Sequence, residues 1–335
     1  MTIIVHFGMQ KTASSSIQRT FHKIGAWDDC RYLAYSHSQA NGLVTFREQA
    51  DLDTFATEVD RVFIAPIREA DAKTYIISSE NFPFLDRDAL TVLFTRLQDT
   101  GHDVRAVGYI RRPKSFMESI FQERLKKRHM KRKDLPRTHP HYRRKFSRFE
   151  HLRKNLGVDV AYWLYDPNTM AERCIVRDFC AKTGLSINPS LIDNSNVGLS
   201  LPAIKLLFVY RKHLARSGKK VIATRERAMV ARLGALNGPK FRFHSRLAGP
   251  ILKDFKSDTI WMQERLGTSL SEDIEAGDDQ ALLKFSDLNS INQEALDWLW
   301  SETAQKQDDD ATPTDEASPD QIVERMMRLQ VRHAA

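Results

Sequence analysis

Short apolar runs alternate along this chain with longer segments in which apolar residues recur at helical spacing. Four of these runs are brief and rich in β-branched or aromatic residues, and they predict strands at 2–7, 74–79, 103–110 and 158–164. Helices are predicted after them, including one over 87–98 with Asp86 as its cap and one over 170–182 that ends at Gly184. This alternation favours an α/β fold with a parallel sheet flanked by helices. Such sheets bind ligands at the carboxyl ends of their strands.

The C-terminal half is predicted to be mostly helical. We expect one α/β domain over 1–300, in which residues 199–266 form a helical subdomain or a cover for the sheet. The acidic stretch 308–319 predicts a linker. The segment 320–335 predicts an amphipathic helix, and its apolar stripe is typical of a docking surface or an oligomer contact: Ile322, Val323, Met326 and Leu329.

The first predicted strand runs directly into a polar loop with the sequence Gly8-Met9-Gln10-Lys11-Thr12-Ala13-Ser14-Ser15-Ser16, and a helical segment follows. A strand, a tight loop and a helix start form a phosphate cradle, because the unpaired N–H groups and the dipole of the helix attract an anion. The loop adds one ammonium group and several hydroxyls. It lacks the second glycine of a Walker A loop, G-x-x-x-x-G-K-[ST]. An ordinary polar turn is the alternative interpretation.

A second strand–helix junction carries a related signal. The strand 103–110 leads into Arg111, Pro113 suits the first turn of a helix, and Ser119 follows on that helix. A forked guanidinium with a neutral donor suits a dianionic phosphate. Taken singly, Arg111 and Ser119 could equally be a solvated charge and a surface hydroxyl.

The formal net charge of +8 makes an anionic partner plausible. Basic residues crowd the stretch 124–148. It is either a solvated helix end with a mobile loop, or an electropositive rim that recruits an acidic molecule. Nucleic acid is not expected, since no recognised module is present and aromatic residues are sparse there.

Composition also predicts where the protein resides in the cell and whether it has a metal site. No apolar run is long enough to span a bilayer and the N-terminus has no signal-peptide pattern, so we expect a cytoplasmic protein that is not integral to a membrane. The three cysteines have no metal-ligand spacing and are predicted to be buried thiols, with no metal site: Cys30, Cys174 and Cys180.

The two junctions together resemble those of the bacterial sulfotransferase family, which is related to the heparan sulfate and cytosolic sulfotransferases. The resemblance covers roughly 2–24, 74–84 and 103–125. It implies a P-loop-like fold and transfer of a sulfuryl group from 3′-phosphoadenosine 5′-phosphosulfate (PAPS) to an acceptor hydroxyl or amine without a metal, and the helical region is then either an acceptor-side subdomain or a cover. Arg111 and Ser119 are then expected to hold the 3′-phosphate, and the loop the 5′-phosphosulfate: Gln10, Lys11, Thr12, Ala13, Ser14, Ser15 and Ser16. Ala13 departs from the glycine that is common in the family, and we expect an ordinary φ there.

The resemblance also implies catalytic roles. Lys11 would stabilise charge on the leaving phosphate, and Glu80 is the first candidate for the general base, with His6 in reserve. The acceptor is open among sugar, lipid, small alcohol and peptide tyrosine, and family analogy favours a glycan. Two other classes stay open: a P-loop kinase or NTPase that uses the Lys11 loop, and a non-enzymatic protein that binds polyanions.

Overall fold

The structure, a computed structural model, describes residues 1–27, 29–35, 41–193, 198–218, 223–272, 280–304 and 317–330. The strands are β1 Thr2–His6, β2 Ala26–Trp27, β3 Cys30–Leu33, β4 Thr74–Ser78, β5 Asp103–Arg111 and β6 Asp159–Tyr165. The helices are α1 Ser14–Ile24, α2 Asn41–Arg47, α3 Leu52–Val59, α4 Ala65–Glu69, α5 Arg87–Gln98, α6 Pro113–Lys127, α7 Tyr142–Leu156, α8 Ile175–Thr183, α9 Leu201–Ser217, α10 Ala223–Leu233, α11 Ser245–Asp254, α12 Lys256–Leu266, α13 Gln293–Thr303 and α14 Pro319–Arg328.

The chain forms two compact units. The first consists of Met1–Arg112, His141–Asn196 and Ser257–Ser271, and the second of Pro113–Pro140, Val197–Lys256 and Glu272–Ala335. The boundary between Arg112 and Pro113 assigns β5 to the first unit and α6 to the second. The residues predicted as a helical subdomain, 199–266, contribute to both units.

The first unit contains a six-stranded sheet in the order β2-β3-β4-β1-β5-β6. All neighbouring strands are parallel except the β2–β3 pair. The predicted α/β class, a parallel sheet flanked by helices with a mostly helical C-terminal half, is therefore confirmed. The predicted strand β1 lies between β4 and β5, and four of its five residues are buried. Strands that are buried on both faces read as continuous apolar runs, which is the pattern of this segment.

Phe7, the residue that follows β1, packs closely against β5. A Cβ atom on Gly108 would lie 2.3 Å from a ring carbon of Phe7. The Phe7 ring also stacks on Phe149 of α7, with ring centroids 3.9 Å apart. Glycine at position 108 therefore lets the residue that follows β1 lie directly against the neighbouring strand.

The predicted bounds are right for helix α5, and the predicted start is wrong for helix α8. Helix α5 begins and ends where the sequence predicted, and the Asp86 carboxylate accepts a hydrogen bond from Ala89 N at 2.8 Å. Helix α8 begins at Ile175, so the predicted start near residue 170 is wrong. Its cap residue, Cys174, has extended backbone with φ −120°, and a short turn at Ala171–Arg173 precedes it.

The second unit is helical, and α9 runs through its core with most of its residues buried. A buried ion pair joins Arg211 of α9 to Glu226 of α10. The Arg211 guanidinium also donates to the carbonyl of Leu125 at 3.0 Å, so it satisfies a carbonyl near the end of α6.

The C-terminal helix α14 docks within the same unit. Ser318 and Gln321 form a capping box at its start. Its apolar stripe is buried in the core that α9 provides: Ile322, Val323, Met326 and Leu329. The stripe is therefore a docking surface on this chain, and it is not exposed to make the oligomer contact that the sequence left open. Residues 308–316 of the predicted linker and 331–335 lie outside the described residues.

This docking predicts how the chain responds to loss of one buried side chain. Met326 is fully buried, so Met326→Ala should lower the free energy of unfolding by about 3 kcal/mol. Glu324 is exposed on the opposite face of α14, and Glu324→Ala should change it by less than about 0.5 kcal/mol. Urea denaturation at two protein concentrations measures both. A destabilisation by Met326→Ala that depended on protein concentration would instead indicate an interface between subunits.

Candidate anion-binding site

The carboxyl ends of three neighbouring strands define the site. His6 ends β1 and is the register partner of Ser78, the last residue of β4. On the other side His6 pairs with Val107, so β5 continues past β1 as far as Arg111. The loop after β1 runs alongside the C-terminal part of β5. Phe7 N donates to Val107 O at 2.9 Å, and Met9 N donates to Tyr109 O at 3.2 Å.

The loop backbone adopts an unusual conformation at two residues that carry side chains. Lys11 has φ 64° and Ala13 has φ 58°, both in the left-handed region. The expectation of an ordinary φ at Ala13 is therefore wrong. The turn into α1 requires the left-handed conformation there, and alanine adopts it at a cost of about 1–2 kcal/mol. Strain of this kind persists where surrounding contacts hold it in place, and functional sites are where it concentrates.

Two hydrogen bonds inside the loop hold this conformation. The Thr12 hydroxyl donates to the Met9 carbonyl at 2.5 Å, and Ser16 N donates to the Ala13 carbonyl at 2.9 Å. Thr12 is fully buried, so its hydroxyl serves the loop itself. This is a structural role that the sequence pattern did not distinguish from phosphate binding.

The start of α1 suits an anion. Its cap residue, Ala13, has only a methyl side chain, and the first turn contains no acidic residue. Hydroxyl groups lie instead in that turn, from the buried Ser14 and Ser16 and the half-buried Ser15. Half-buried Lys11 adds a positive charge to the loop that precedes it. The structure thus brings the sequence-predicted residues 10–16 together at one helix N-terminus, where amide N–H groups and the dipole favour negative charge.

His6 lies beneath this loop and is fully buried, at 0 % exposure. Its Nδ1 atom is 2.8 Å from the Ser78 hydroxyl, and its Nε2 atom has no hydrogen-bond partner among the described residues. Burial lowers the pKa of His6 to about 3. A buried imidazole that stays neutral is unsuited to take a proton from an external acceptor, which argues against His6 as the reserve general base.

Gly8 lies where His6 and Ser14, the first residue of α1, come close together, so a side chain at position 8 would clash with both. A Cβ atom at position 8 would lie 2.7 Å from His6 Nε2 and 2.6 Å from Ser14 Oγ. Glycine is therefore needed here for close approach, and the two polar atoms border the same small space. An unsatisfied buried nitrogen beside a helix N-terminus fits a site that is completed by a polar ligand.

Glu80 lies at the same edge of the sheet. It follows β4 in a turn and is half-buried. Ser79 N donates to the His6 carbonyl at 2.9 Å, which ties this turn to the end of β1. The first candidate for the general base is thus at the carboxyl end of a strand adjacent to the loop.

Arg111 connects the two motifs of the sequence. Its guanidinium donates to the Lys11 carbonyl at 2.8 Å and lies over the Tyr165 ring, 5.5 Å from the ring centroid. The Tyr142 hydroxyl donates to the Arg111 carbonyl at 2.6 Å. Tyr142 and Tyr165 were not predicted as site residues, because their spacing from Arg111 along the chain has no recognisable pattern. Only the pairing of β5 with β6, which sets Arg111 opposite Tyr165, reveals the second.

Ser119 belongs to α6 in the second unit, where it is half-buried. Its pairing with Arg111 at one phosphate stays a prediction. The start of α6 holds a carboxylate from its own unit, because Ser115 N donates to the two Glu272 oxygens at 3.0 and 3.1 Å. Glu272 was not among the residues predicted from the sequence.

The basic stretch is divided between the units. Residues 124–140 belong to the second unit, where Met130 and Leu135 are in the core. Residues 141–148 begin α7 in the first unit, and the Asp258 carboxylate accepts hydrogen bonds from Tyr142 N and Arg143 N at its start. Arg148 donates to the carbonyls of Pro83 and Leu85. Part of this charge therefore serves the fold.

Comparisons with protein-family models, curated proteins and solved structures found no match to the chain. Among the helices of the described ranges, none has both the length and the apolar composition needed to cross a membrane. The functional conclusions therefore depend on the residues at the sheet edge.

The strain at Ala13 predicts a stabilising substitution. Glycine adopts a φ of 58° without a steric cost, so Ala13→Gly should raise the free energy of unfolding by about 1 kcal/mol. The matched control is Ala56→Gly in α3, where helical backbone predicts a loss of about 1 kcal/mol. Chemical denaturation of the two variants measures the difference. A loss of stability in Ala13→Gly would contradict the left-handed conformation.

Proposed function

We propose that this protein is a sulfotransferase that uses PAPS as its donor substrate. The observation that carries the proposal is the hydrogen bond from Arg111 to the Lys11 carbonyl. It joins the two sequence motifs at adjacent strand ends, as a nucleotide with separate 5′- and 3′-anionic groups requires. When bound, PAPS supplies a sulfuryl group for transfer to an acceptor hydroxyl or amine.

The residues of the loop hold the 5′ end of the donor. Lys11 and the N–H groups at the start of α1 provide positive potential, and Ser14, Ser15 and Ser16 provide hydroxyl donors. Preorganised donors of this kind stabilise negative charge that develops during group transfer. Gln10, Thr12 and Ala13 contribute mainly by shaping the loop.

Arg111 holds the 3′-phosphate. The guanidinium has five N–H donors, and its bond to the Lys11 carbonyl uses one of them. A guanidinium is also a strong bidentate donor to phosphate, which is why we assign Arg111 to that group. The Tyr165 ring, which lies under the guanidinium, restricts its orientation.

Glu80 accepts the proton of the acceptor. It is the carboxylate that follows β4, and it lies one residue beyond the backbone contact between Ser79 and His6. The fully buried His6 has a structural role in this scheme. A glycan remains the acceptor class that family analogy favours.

The nucleotide specificity tests this proposal. Adenosine 3′,5′-bisphosphate should bind at least about tenfold more tightly than AMP, because only it provides a 3′-phosphate for bidentate contact. Arg111→Ala should remove most of this preference while affecting AMP less. The matched control is Arg112→Ala, since Arg112 forms an ion pair with Asp166 at 2.7 Å. Isothermal titration calorimetry measures each affinity. Equal affinities of the wild type for both nucleotides would contradict the 3′-phosphate site, and tight magnesium-dependent binding of ATP would favour a kinase.

Separate roles for Lys11 and Glu80 give a second test. Lys11→Ala should lower turnover by orders of magnitude with a smaller loss of nucleotide affinity, since Lys11 acts on charge that grows during transfer. Glu80→Gln removes basicity alone, so turnover should fall roughly a hundredfold while nucleotide affinity changes less than about twofold. The exposed Glu48→Gln serves as control.

The two readouts are calorimetry and sulfation of an acceptor identified by screening with labelled PAPS. Near-normal turnover of Glu80→Gln would show that another residue is the base.

A further inference from the structure

A cavity of about 420 Å³ lies in the second unit, and its lining includes none of the residues predicted for the anion site. Leu201 and Lys205, one turn apart on α9, form one side of it. The other side comes from Pro239 and from residues within the segment 280–290. Cavities of this size are typical binding sites for small molecules.

Backbone hydrogen bonds hold the walls of this cavity together. Leu201 N donates to the Pro239 carbonyl at 2.8 Å, which ties the start of α9 to the neighbouring loop. On the other side, Leu282 N donates to the Arg242 carbonyl at 2.8 Å, and His244 N donates to the Leu282 carbonyl at 3.0 Å. The cavity is therefore built into the fold of the second unit.

The cavity combines apolar walls with one positive charge. Leu201 and Leu282 are buried and Leu283 is half-buried, and all three line it. Lys205 supplies the ammonium group, and burial lowers its pKa below the ordinary value. Within the described ranges, the Lys205 ammonium makes no hydrogen bond or ion pair. A partly desolvated charge of this kind is stabilised when an anion binds beside it.

The Asp287 carboxylate is the acidic group whose charge acts on Lys205, and it is committed to the turn at Phe285–Asn289. Its two oxygens accept hydrogen bonds from Lys284 N at 2.8 Å and from the Ser286 hydroxyl at 3.3 Å. Asp287 therefore offsets the charge of Lys205 without forming a direct contact with it. Its negative charge also disfavours a ligand that carries more than one negative charge.

We propose that this cavity binds a small organic monocarboxylate with an apolar body. The carboxylate accepts a hydrogen bond from the Lys205 ammonium, and the hydrocarbon part packs against Leu201, Leu282 and Leu283. A dianionic phosphate would need a second cation to balance the repulsion from Asp287. Binding in this cavity does not require PAPS, so the site extends beyond the proposed function and each can fail without the other.

Three probes with the same six-carbon chain and different charge test the site at pH 7: hexanoate, hexan-1-ol and hexylammonium. Methyl NMR of the ¹³C-labelled leucines measures affinity and location together, with the Leu201 and Leu283 signals identified by their loss in Leu201→Met and Leu283→Met. We expect saturable shifts of these signals, and hexanoate should bind at least about tenfold more tightly than hexan-1-ol. Hexylammonium should bind more weakly than both.

Two further probes examine the apolar walls and the charge of the ligand. Butyrate should bind more weakly than hexanoate by about two- to threefold for each methylene removed. Hexyl phosphate should bind no more tightly than hexanoate, because the site has one cation with an acidic group near it.

Substitutions of lysine test the source of the anion preference. Lys205→Met keeps an unbranched side chain and removes the charge, so hexanoate should lose its advantage over hexan-1-ol while hexan-1-ol binds about as before. Lys205→Arg restores a cation and should recover part of the preference. The matched control is Lys253→Met, which removes the same charge from an exposed position of α11 in the same unit and should leave both affinities unchanged.

Equal affinities of the wild type for hexanoate and hexan-1-ol, or shifts confined to other leucines, would overturn the proposal. A preference for hexanoate that survives in Lys205→Met would also overturn it, and tighter binding of hexyl phosphate would contradict a monocarboxylate site. If the lysine variants did not fold, the comparison of probes on the wild type would still decide. A wild type that bound hexanoate here but not adenosine 3′,5′-bisphosphate would contradict the proposed function alone.

Discussion

The hydrogen bond from Arg111 to the Lys11 carbonyl is the constraint on which the site depends. Lys11 has a left-handed backbone conformation, and its carbonyl points to the end of β5. Because β5 continues past β1, its last residue reaches the loop and holds it in place. The Tyr142 hydroxyl holds the Arg111 carbonyl in turn, so the loop, the strand end and the start of α7 support one another.

A second layer lies beneath the loop. Gly8 permits the close approach of His6 and Ser14, and His6 is connected through Ser78 to the neighbouring strands. The central position of β1 makes this layer inaccessible to solvent, which keeps the imidazole neutral. A positively charged loop next to a neutral, buried imidazole suits the binding of an anion without placing a second charge in the core.

The sequence predicted the parts of the fold that depend on local pattern. The apolar runs identified β1, β4, β5 and β6 to within a residue or two, since burial on both faces leaves a continuous apolar signal. The two-residue β2 and the four-residue β3 are too short for periodicity to reveal, and they went unpredicted. The start of α8 was misplaced because extended backbone at Cys174 overrides the helical pattern before it.

Some residues of the candidate site could likewise be predicted from the sequence, and others could not. Residues 10–16 follow β1 and Arg111 is the last residue of β5, so topology alone brings them to one edge. The φ of Ala13 and the partners Tyr142 and Tyr165 depend on tertiary contacts that no local pattern encodes.

A crystal structure with adenosine 3′,5′-bisphosphate tests the anion site most directly. The 5′-phosphate is expected to accept hydrogen bonds from N–H groups at the start of α1, with the Lys11 ammonium and the Ser14 hydroxyl against its oxygens. The 3′-phosphate is expected on the Arg111 guanidinium. A nucleotide bound elsewhere, or one whose 3′-phosphate faces solvent and does not contact Arg111, would contradict the proposed role of this sheet edge.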